Sequence, residues 1–432
     1  MKNLSKTILK PDRFPFFYGY IIVIVGTLGV LVSIPGQTIG VSAFTNPLMN
    51  ALNLTRDQFS FAYGIGTFAS SLILTQVGKW YDKYGVRIVA FGATLILALA
   101  LYLLSVSKIL TNNIYRFLSI QTWIIPFTIL IILFFLLRFS GQGVLTLISK
   151  NMVMKWFNAR RGRVNALISI VISLGFSISP LWISILIDNY QWQGAWRYMS
   201  VGVLLFLSII FFFFHDNPEL FGLKPDGKLK RYKKTVINSE LKEYTLREAL
   251  STRAFWIYSL ILAFNGYFIT GFTFHVQSIF ENAGFDKEKA ISVFLPMSLV
   301  SVVISLFSNY ISDSIKLRKL LIAMIFGAMI FVIGVISLKA GPGYYLIVIG
   351  SGIMGGLFSV LSTITWPRFF GRKHLGAISG KSMSMIVIGS AIAPALFSLS
   401  NSYFGGYESI SWLSLLFLII LLIGSGKAVN PQ

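Results

Sequence analysis

Few side chains in this sequence can do chemistry, because ionisable residues are rare within its long apolar stretches. Arg138 is the one charged residue that falls well inside such a stretch. A guanidinium in this position can hold an anion, or it can bond carbonyl groups at a helix end as a structural residue. His275, near the end of another stretch, can exchange a proton near neutral pH or cap a helix. The residues therefore predict anion binding in an apolar environment, with one histidine available for proton transfer.

Other polar residues in the apolar stretches are candidates for orienting a bound molecule. Lys381 lies early in its stretch, where its ammonium group could face a cavity or extend to the membrane surface. Hydrogen bonding between helices is the alternative role for each polar residue. The candidate binding residues are Gln37, Tyr63, Arg138, Gln142, Asn265, Tyr267, His275 and Lys381.

Several classes of site are excluded. The sequence has no cysteine, which excludes disulfides, cysteine-ligated metals and a thiol nucleophile. Its three histidines lie far apart, so a histidine metal cluster is unsupported. Phosphate-binding glycine loops, a Ser/His/Asp arrangement and paired catalytic carboxylates are absent from plausible positions. We therefore expect no enzyme activity, no metal site and no cofactor.

The composition places these residues in a membrane. Apolar residues make up 55% of the 432 positions and charged residues 12%, whereas soluble domains have roughly 25% charged residues. An apolar stretch of about 20 residues can cross a bilayer as an α-helix. Twelve such stretches occur, at 17–39, 59–77, 86–106, 123–147, 164–187, 198–214, 255–279, 291–311, 320–338, 344–365, 375–399 and 410–423. The predicted fold is an all-α integral membrane protein with twelve transmembrane helices.

The positive charges predict an orientation in the cell inner (plasma) membrane. If the N-terminus is cytoplasmic, most of the 37 lysines and arginines fall on the cytoplasmic side, as in other multi-pass proteins. Both termini are then cytoplasmic. The net charge of +22 becomes a basic rim facing anionic lipid. We therefore expect the lipid bilayer, and not nucleic acid, as the partner of this charge.

The twelve stretches form two related sets of six. A polar stretch at 215–253, interpreted as a cytoplasmic loop, separates an N-terminal bundle (1–214) from a C-terminal bundle (254–432). Two patterns recur with the same spacing in both halves: Gly162, Gly175 and Pro180 with Gly376, Gly389 and Pro394, and Asp82 and Arg87 with Asp313 and Arg318. Parallel repeats of this kind predict a substrate site between the halves, near the bilayer midplane.

Several segments resemble the major facilitator superfamily. Residues 78–87 follow its signature for the loop between helices 2 and 3, and 138–143 resemble its helix-4 signature. Residues 175–180 match its helix-5 signature in part, with Ser179 where glycine is usual. The resemblance implies alternating access and a gate on the cytoplasmic side. The gate residues that it assigns are Gly78, Asp82, Gly85, Arg87, Asp313 and Arg318.

Finer matches resemble the monocarboxylate and oxalate/formate transporter branch. They lie at 156–162, 217–227, 246–256 and 370–376. Oxalate/formate exchangers typically hold a dicarboxylate between bases on helices 8 and 11. The predicted helix 8 has no base, which favours a monocarboxylate or a less charged solute. The predicted spans have no acidic residue at mid-membrane, which favours a facilitator or an anion exchanger over a cation-coupled pump.

The residues and the resemblance together predict a secondary active or facilitative transporter of a small organic anion. The resemblance also implies a monomer, the usual state of this fold. One alternative is an exporter of neutral or amphiphilic compounds on the same fold, in which Arg138 is only structural. A less favoured alternative is a transport-dead sensor that signals through the loop at 215–253.

Overall fold

The computed structural model describes residues 10–227 and 242–432, and within these ranges the regular elements are all helices. The first half contains α1 (Gly19–Val32), α2 (Thr38–Ser42), α3 (Thr45–Leu52), α4 (Arg56–Tyr84), α5 (Val86–Ser105), α6 (Ser107–Leu118), α7 (Ile124–Leu137), α8 (Thr146–Trp156) and α9 (Arg161–Phe213). A π-helical segment, Arg138–Leu145, joins α7 to α8.

The second half has the same helical character. It contains α10 (Leu246–Leu250), α11 (Arg253–Asn282), α12 (Lys287–Ser292), α13 (Phe294–Ser312), α14 (Leu317–Ile336), α15 (Gly343–Phe369), α16 (Leu375–Phe404) and α17 (Glu408–Ser425). Residues 228–241 of the polar stretch interpreted as a cytoplasmic loop, which include the basic run at 228–231, lie outside the described residues.

The helices provide twelve membrane crossings. In the described part of the chain, nine helices are long and apolar enough to cross a membrane, with α7, α8 and the π segment together forming one of them. α9 supplies two crossings, because Gln191 interrupts it with a φ of 59° and a ψ of 168°. The shorter apolar α1 and the more polar α4 supply the other two. The predicted all-α membrane fold is confirmed.

Two predicted spans were wrong in ways that affect the candidate site. The first does not run unbroken over 17–39, because Pro35 lacks an amide hydrogen and the chain forms a 3-10 turn at Ile34–Gly36. The fourth does not end at 147, because α8 continues to Trp156. Lys150 and Lys155, which we expected in a connection, therefore lie in the helix.

The repeat predicted from spacing is confirmed by the helix boundaries. Gly162 and Gly376 are each the second residue of a helix, in α9 and α16. Pro180 and Pro394 lie inside the same two helices. The two halves therefore begin and bend these helices at equivalent positions.

The chain packs into two compact units. The first comprises Met1–Asn158, Val171–Ile237 and Ser379–Ser384, and the second comprises Ala159–Ile170, Asn238–Ile378 and Met385–Gln432. The start of α9 thus packs in the second unit and a short piece of α16 in the first. The division predicted from the sequence, into 1–214, 215–253 and 254–432, does not include this exchange of helix segments between the units. It remains a prediction.

The break in the first span docks against the π segment. A Cβ on Gly36 would lie 2.8 Å from Cα of Gly141, and a Cβ on Gly141 would lie 2.8 Å from Cα of Gly36. Small residues allow this close backbone approach, as in other membrane helix pairs. The Gly36–Gly141 contact therefore fixes the position of the break relative to the helix that α7, the π segment and α8 form together.

We predict that Gly141→Ala destabilises the protein because its methyl group cannot fit against Gly36. Overpacking of this kind costs about 1–3 kcal/mol. The midpoint of thermal unfolding in detergent should fall by several degrees. Gly92→Ala is the matched control, because a Cβ at Gly92 meets nothing within 4 Å. Equal midpoints for the two variants would show that the contact can relax.

Candidate functional site

Arg138 begins the π segment and is 0% exposed. Its Nη1 donates a 3.0 Å hydrogen bond to the carbonyl oxygen of Gly36. Its guanidinium carbon lies 5.1 Å from the ring centroid of Tyr63. Because Gln37 has extended backbone angles, the helix does not continue past Gly36 and its end must be satisfied by other groups. Arg138 thus caps the helix break at mid-membrane.

The guanidinium keeps unused hydrogen-bonding capacity. Arg138 Nε and Nη2 are buried without a partner among the described residues, as is Oε1 of Gln142, one turn further along. Such orphaned donors and acceptors are costly in an apolar environment. The cluster can therefore accept a bound molecule that supplies both an anionic oxygen and a donor.

Hydroxyl and amide groups extend the cluster along the break. Tyr63 donates to Oγ1 of Thr38 at 2.9 Å. Gln37 Nε2 lies 3.0 Å from Ser33 Oγ and 3.1 Å from Thr146 Oγ1. Ser33 and Thr146 were not predicted as binding residues. The available signals were that Thr146 follows Gln142 by one turn and that Ser33 adjoins the proline break.

The candidates on α11 lie in aromatic packing in the second unit. Nε2 of His275 lies 3.0 Å from the carbonyl oxygen of Pro394, and its ring stacks on Phe397 at 6.2 Å. Tyr267 also packs on Phe397, with ring centroids 5.8 Å apart. Asn265 is 8% exposed. The contacts of His275 thus match the structural alternative considered from the sequence.

Lys381 lies in the piece of α16 that packs in the first unit. Ser384 in this piece donates to the carbonyl oxygen of Ser71 at 2.6 Å, and Asn151 of α8 donates to Ser379 Oγ at 2.7 Å. Lys381 itself is partly exposed. The structure therefore places it beside α4 and α8.

Asp313, predicted at the second gate, contacts the start of another helix. Its carboxylate accepts the backbone N–H groups of Gly162 at 2.8 Å and Arg163 at 3.3 Å. These amides belong to the first turn of α9, so they have no carbonyl partner within the helix, and a negative charge is favoured there. Burial raises the pKa of Asp313, while the two N–H bonds and the charges of Arg368 and Arg163 oppose that rise. The contact is a partly buried carboxylate at a helix N-terminus.

Asparagines that the sequence analysis missed reinforce this contact. Asn165 Nδ2 donates to Oδ1 of Asn309 at 2.7 Å and to the carbonyl oxygen of Ser359 at 3.1 Å. A Cβ on Gly162 would collide with the carbonyl oxygen of Asn309. The spacing of Asn165 from Gly162, one helical turn, was the available sequence signal.

The first predicted gate surrounds the connection between α4 and α5. Gly78 and Asp82 lie in the last turns of α4, and Gly85 adopts a φ of 90° that favours glycine. The N–H of Val86 donates to Oδ1 of Asp216 at 2.7 Å. Asp216 was not predicted, although it is the first acidic residue after α9. Arg318, the second-gate arginine, lies in the first turn of α14.

Burial controls the ionisation of the residues around Arg87. Burial raises the pKa of Asp216, and the charge of Lys155, the Val86 N–H and Arg87 lower it. Burial, followed by the charge of Arg87, lowers the pKa of His215 to about 3. His215 is therefore neutral at physiological pH, and its Nδ1 lies 3.4 Å from Nη2 of Arg87.

The family model of the Major Facilitator Superfamily matches residues 26–394. The chain belongs to the Major Facilitator Superfamily. Proteins of this superfamily are transporters and not enzymes, and the apolar helices of this chain agree with that class. The twelve-helix architecture is that of the superfamily.

Two curated relatives resemble parts of the chain. The inner membrane transport protein YdiM of Escherichia coli is 27% identical over 229 residues, covering 50% of this chain and 52% of the relative. The glucose transporter GlcP of Staphylococcus epidermidis is 23% identical over 299 residues, covering 60% and 63%. The matches thus span about half to three-fifths of each relative's length.

A solved structure supports the superfamily fold. The proton:xylose symporter XylE, bound to 6-bromo-6-deoxy-D-glucose, superposes with a TM-score of 0.68 at 14% identity, covering 95% of both chains. Identity this low shows the fold alone. Neither relative is named for a carboxylate substrate, so the monocarboxylate and oxalate/formate branch remains a proposal.

We predict that Asp313→Asn loosens the start of α9 because the neutral side chain loses the charge that the helix N-terminus favours. Such contacts contribute about 0.3–2 kcal/mol. The sequence has no cysteine, so Ser305→Cys, which is placed at a 7% exposed position beside Asn309, gives a single labelling site. A water-soluble maleimide should label it several-fold faster in the Asp313→Asn background.

The control is Asp286→Asn, because Asp286 accepts the N–H of Lys289 on a different connection. Labelling of the same cysteine should not change in this background. Equal rates in both backgrounds would rule out a locking role for Asp313.

Proposed function

We propose that this transporter moves a small organic anion, a monocarboxylate, across the membrane by alternating access. The observation that carries the proposal is the unused edge of the Arg138 guanidinium. Nε–H and Nη2–H lie along one edge of this planar group, and two parallel donors match the two oxygens of a carboxylate. Nη1, on the other side, is already bonded to Gly36.

The energetics favour an anionic ligand over a permanently empty site. A charged side chain at mid-membrane costs at least about 2.5–3.5 kcal/mol unless it is paired. Among the described residues, no ion pair involves Arg138. A bound carboxylate would compensate this charge and satisfy both orphaned donors. Because Arg138 is fully buried, the substrate would reach it only when the surrounding helices separate.

The gates in this proposal are the helix-end contacts near the two repeated Asp and Arg positions. Asp313 at the start of α9 is the observed example. We assign Asp82, Arg87 and Arg318 to the same function by the repeat, and Gly78 and Gly85 by the loop signature at 78–87. We propose that both gates, and both termini, lie on the cytoplasmic side of the inner membrane. In the first unit the proposed binding residues are Gln37, Tyr63, Gln142 and Lys381 together with Arg138. The candidates of the second unit, Asn265, Tyr267 and His275, remain predictions.

A neutral solute is the second candidate, and one observation favours it. Arg138 already caps Gly36 and faces the Tyr63 ring, and these two contacts give it a structural role that needs no substrate. A sugar-like substrate would then bond Gln37, Gln142 and their neighbours. The relatives named as glucose and xylose transporters add to this alternative.

We predict that proteoliposomes loaded with unlabelled formate, acetate, lactate or pyruvate take up the labelled compound by counterflow. Arg138→Gln should reduce the rate about 10- to 100-fold, because it removes charge-assisted bonds of about 1.5–3 kcal/mol. Arg253→Gln, at an exposed arginine, is the control and should keep the wild-type rate. The unfolding midpoints of the three proteins should be compared. Counterflow of hexoses with silence for every carboxylate would establish the neutral-solute alternative.

We also predict that Asp82→Asn impairs transport more than folding, because Asp82 belongs to the proposed gate. Asp57→Asn is the matched control, since Asp57 lies in the first turn of the same helix, α4. Counterflow should fall severalfold only for Asp82→Asn, with similar amounts of both proteins in the membrane. Unchanged counterflow would count against the gate.

A further inference from the structure

Lys150 is an unexplained positive charge inside a membrane-spanning helix. It lies in α8, and its side chain is partly exposed. Across residues 10–227 and 242–432, the Lys150 ammonium group has no hydrogen bond, ion pair or ring contact. Ionisable groups within a span either pair or face a water-filled path. An unpaired, partly exposed ammonium indicates the second case.

The neighbours of Lys150 on α8 show which side of the helix it occupies. Ser149 packs against Gly29 of α1, and Asn151 bonds Ser379 of α16. Because consecutive residues in an α-helix differ by about 100°, Lys150 lies between the side facing α1 and the side facing α16. Thr146, one turn earlier, shares this side of the helix and reaches Gln37.

The π segment brings Arg138 and Lys150 onto the same side of the helix that α7, the π segment and α8 form together. In an uninterrupted α-helix of 3.6 residues per turn, the twelve residues between these positions would turn them about 120° apart. A π-helical turn, with its i→i+5 hydrogen bonds, contains more residues than an α-helical turn. The segment Arg138–Leu145 therefore turns by less per residue than an α-helix, which reduces the offset. Arg138, Gln142, Thr146 and Lys150 then form one polar stripe.

The direction of the side chain argues against a purely interfacial role. Lys150 precedes the end of α8 at Trp156 by about 9 Å along the axis. Helical side chains lean toward the N-terminus of their helix. The Lys150 side chain therefore starts toward Thr146 and away from the end at Trp156.

The spacing along the stripe separates the two charges. Twelve residues of helix separate the two Cα atoms by up to about 18 Å. A small monocarboxylate bound at one position is therefore apart from the other, and a molecule that moves along the stripe meets the two cations in succession.

We propose that Lys150 is a second anion-binding position, which the carboxylate of the substrate occupies between Arg138 and the end of α8 at Trp156. This inference rests on the proposed function and adds a residue that neither the signatures nor the repeat identify. The ammonium group compensates the carboxylate while it is away from Arg138. Lys150 is thus a specificity residue for anions on the path to the proposed cytoplasmic side.

The first test uses substitutions that separate charge from packing. Lys150→Met keeps the length and removes the charge, and it should raise KM for the transported carboxylate about tenfold, with the larger effect for substrate offered from the side of Trp156. Lys150→Arg should stay within about threefold of wild type. Lys108→Met, at an exposed lysine of α6, is the control and should not change KM.

The second test restores the charge chemically in this cysteine-free chain. Lys150→Cys should lose carboxylate counterflow. Aminoethyl methanethiosulfonate, which attaches a cation through a disulfide, should restore most of it, whereas the neutral methyl reagent should not. Bound carboxylate should also slow the reaction of the thiol with the anionic sulfonatoethyl reagent. A structural role for Lys150 would produce neither the charge-specific rescue nor the protection.

The outcomes distinguish the two proposals. Wild-type carboxylate counterflow that persists in Lys150→Met with an unchanged KM would overturn the role of Lys150 and leave the proposed function intact. Wild-type counterflow of hexoses alone would overturn the anion proposal, and the Lys150 proposal with it. A KM raised about tenfold in Lys150→Met, a KM close to wild type in Lys150→Arg and rescue of Lys150→Cys by the aminoethyl reagent together would establish both.

Discussion

The hydrogen bond from Arg138 to the Gly36 carbonyl is the constraint on which the first unit depends. A bilayer supplies no water to an interrupted helix, so each backbone group freed at the Pro35 break needs a protein partner. The guanidinium provides one, and the close approach of Gly36 to Gly141 makes that distance possible. The π segment starts at Arg138, so the buried charge, the helix break and the change of helical twist are parts of one arrangement. Removing the guanidinium would leave the buried carbonyl of Gly36 without this partner.

The contacts at the starts of helices have a different energetic character. Asp313 bonds two amides of α9, and Asn165 adds two bonds through its side-chain amide. Contacts of this type contribute moderately, about 0.3–2 kcal/mol for the charge at the helix end. They can hold one arrangement of helices without making it permanent, which is what an alternating-access transporter requires of a gate. The bond of Arg138 lies within the first unit, and the contact of Asp313 with the start of α9 lies within the second.

In the proposed transport cycle, the polar stripe of Arg138, Gln142, Thr146 and Lys150 leads from the break in the first span toward the proposed gates. An α-helix alone would turn Lys150 away from Arg138, and the π segment aligns them. The same segment therefore serves the helix break and the path of the anion. π-helical turns are often found at functional sites because they re-aim side chains within an otherwise regular helix.

The sequence by itself determined the membrane class, the twelve crossings and the repeat, because hydrophobic length and residue spacing are local properties. It also identified Arg138 as the central charge, since a charged residue in an apolar stretch is visible without a structure. It could not predict the contacts of Asp216 with Val86, of Asn165 with Asn309 or of Thr146 with Gln37. The partners are distant in sequence, and polar residues at helix ends are common. It placed Lys150 in a connection, because polar residues after 147 lowered the local hydropathy although the helix continues to Trp156. Only the tertiary structure decided which donors of Arg138 are satisfied, because the Gly36 carbonyl comes from a helix break whose geometry no local pattern specifies.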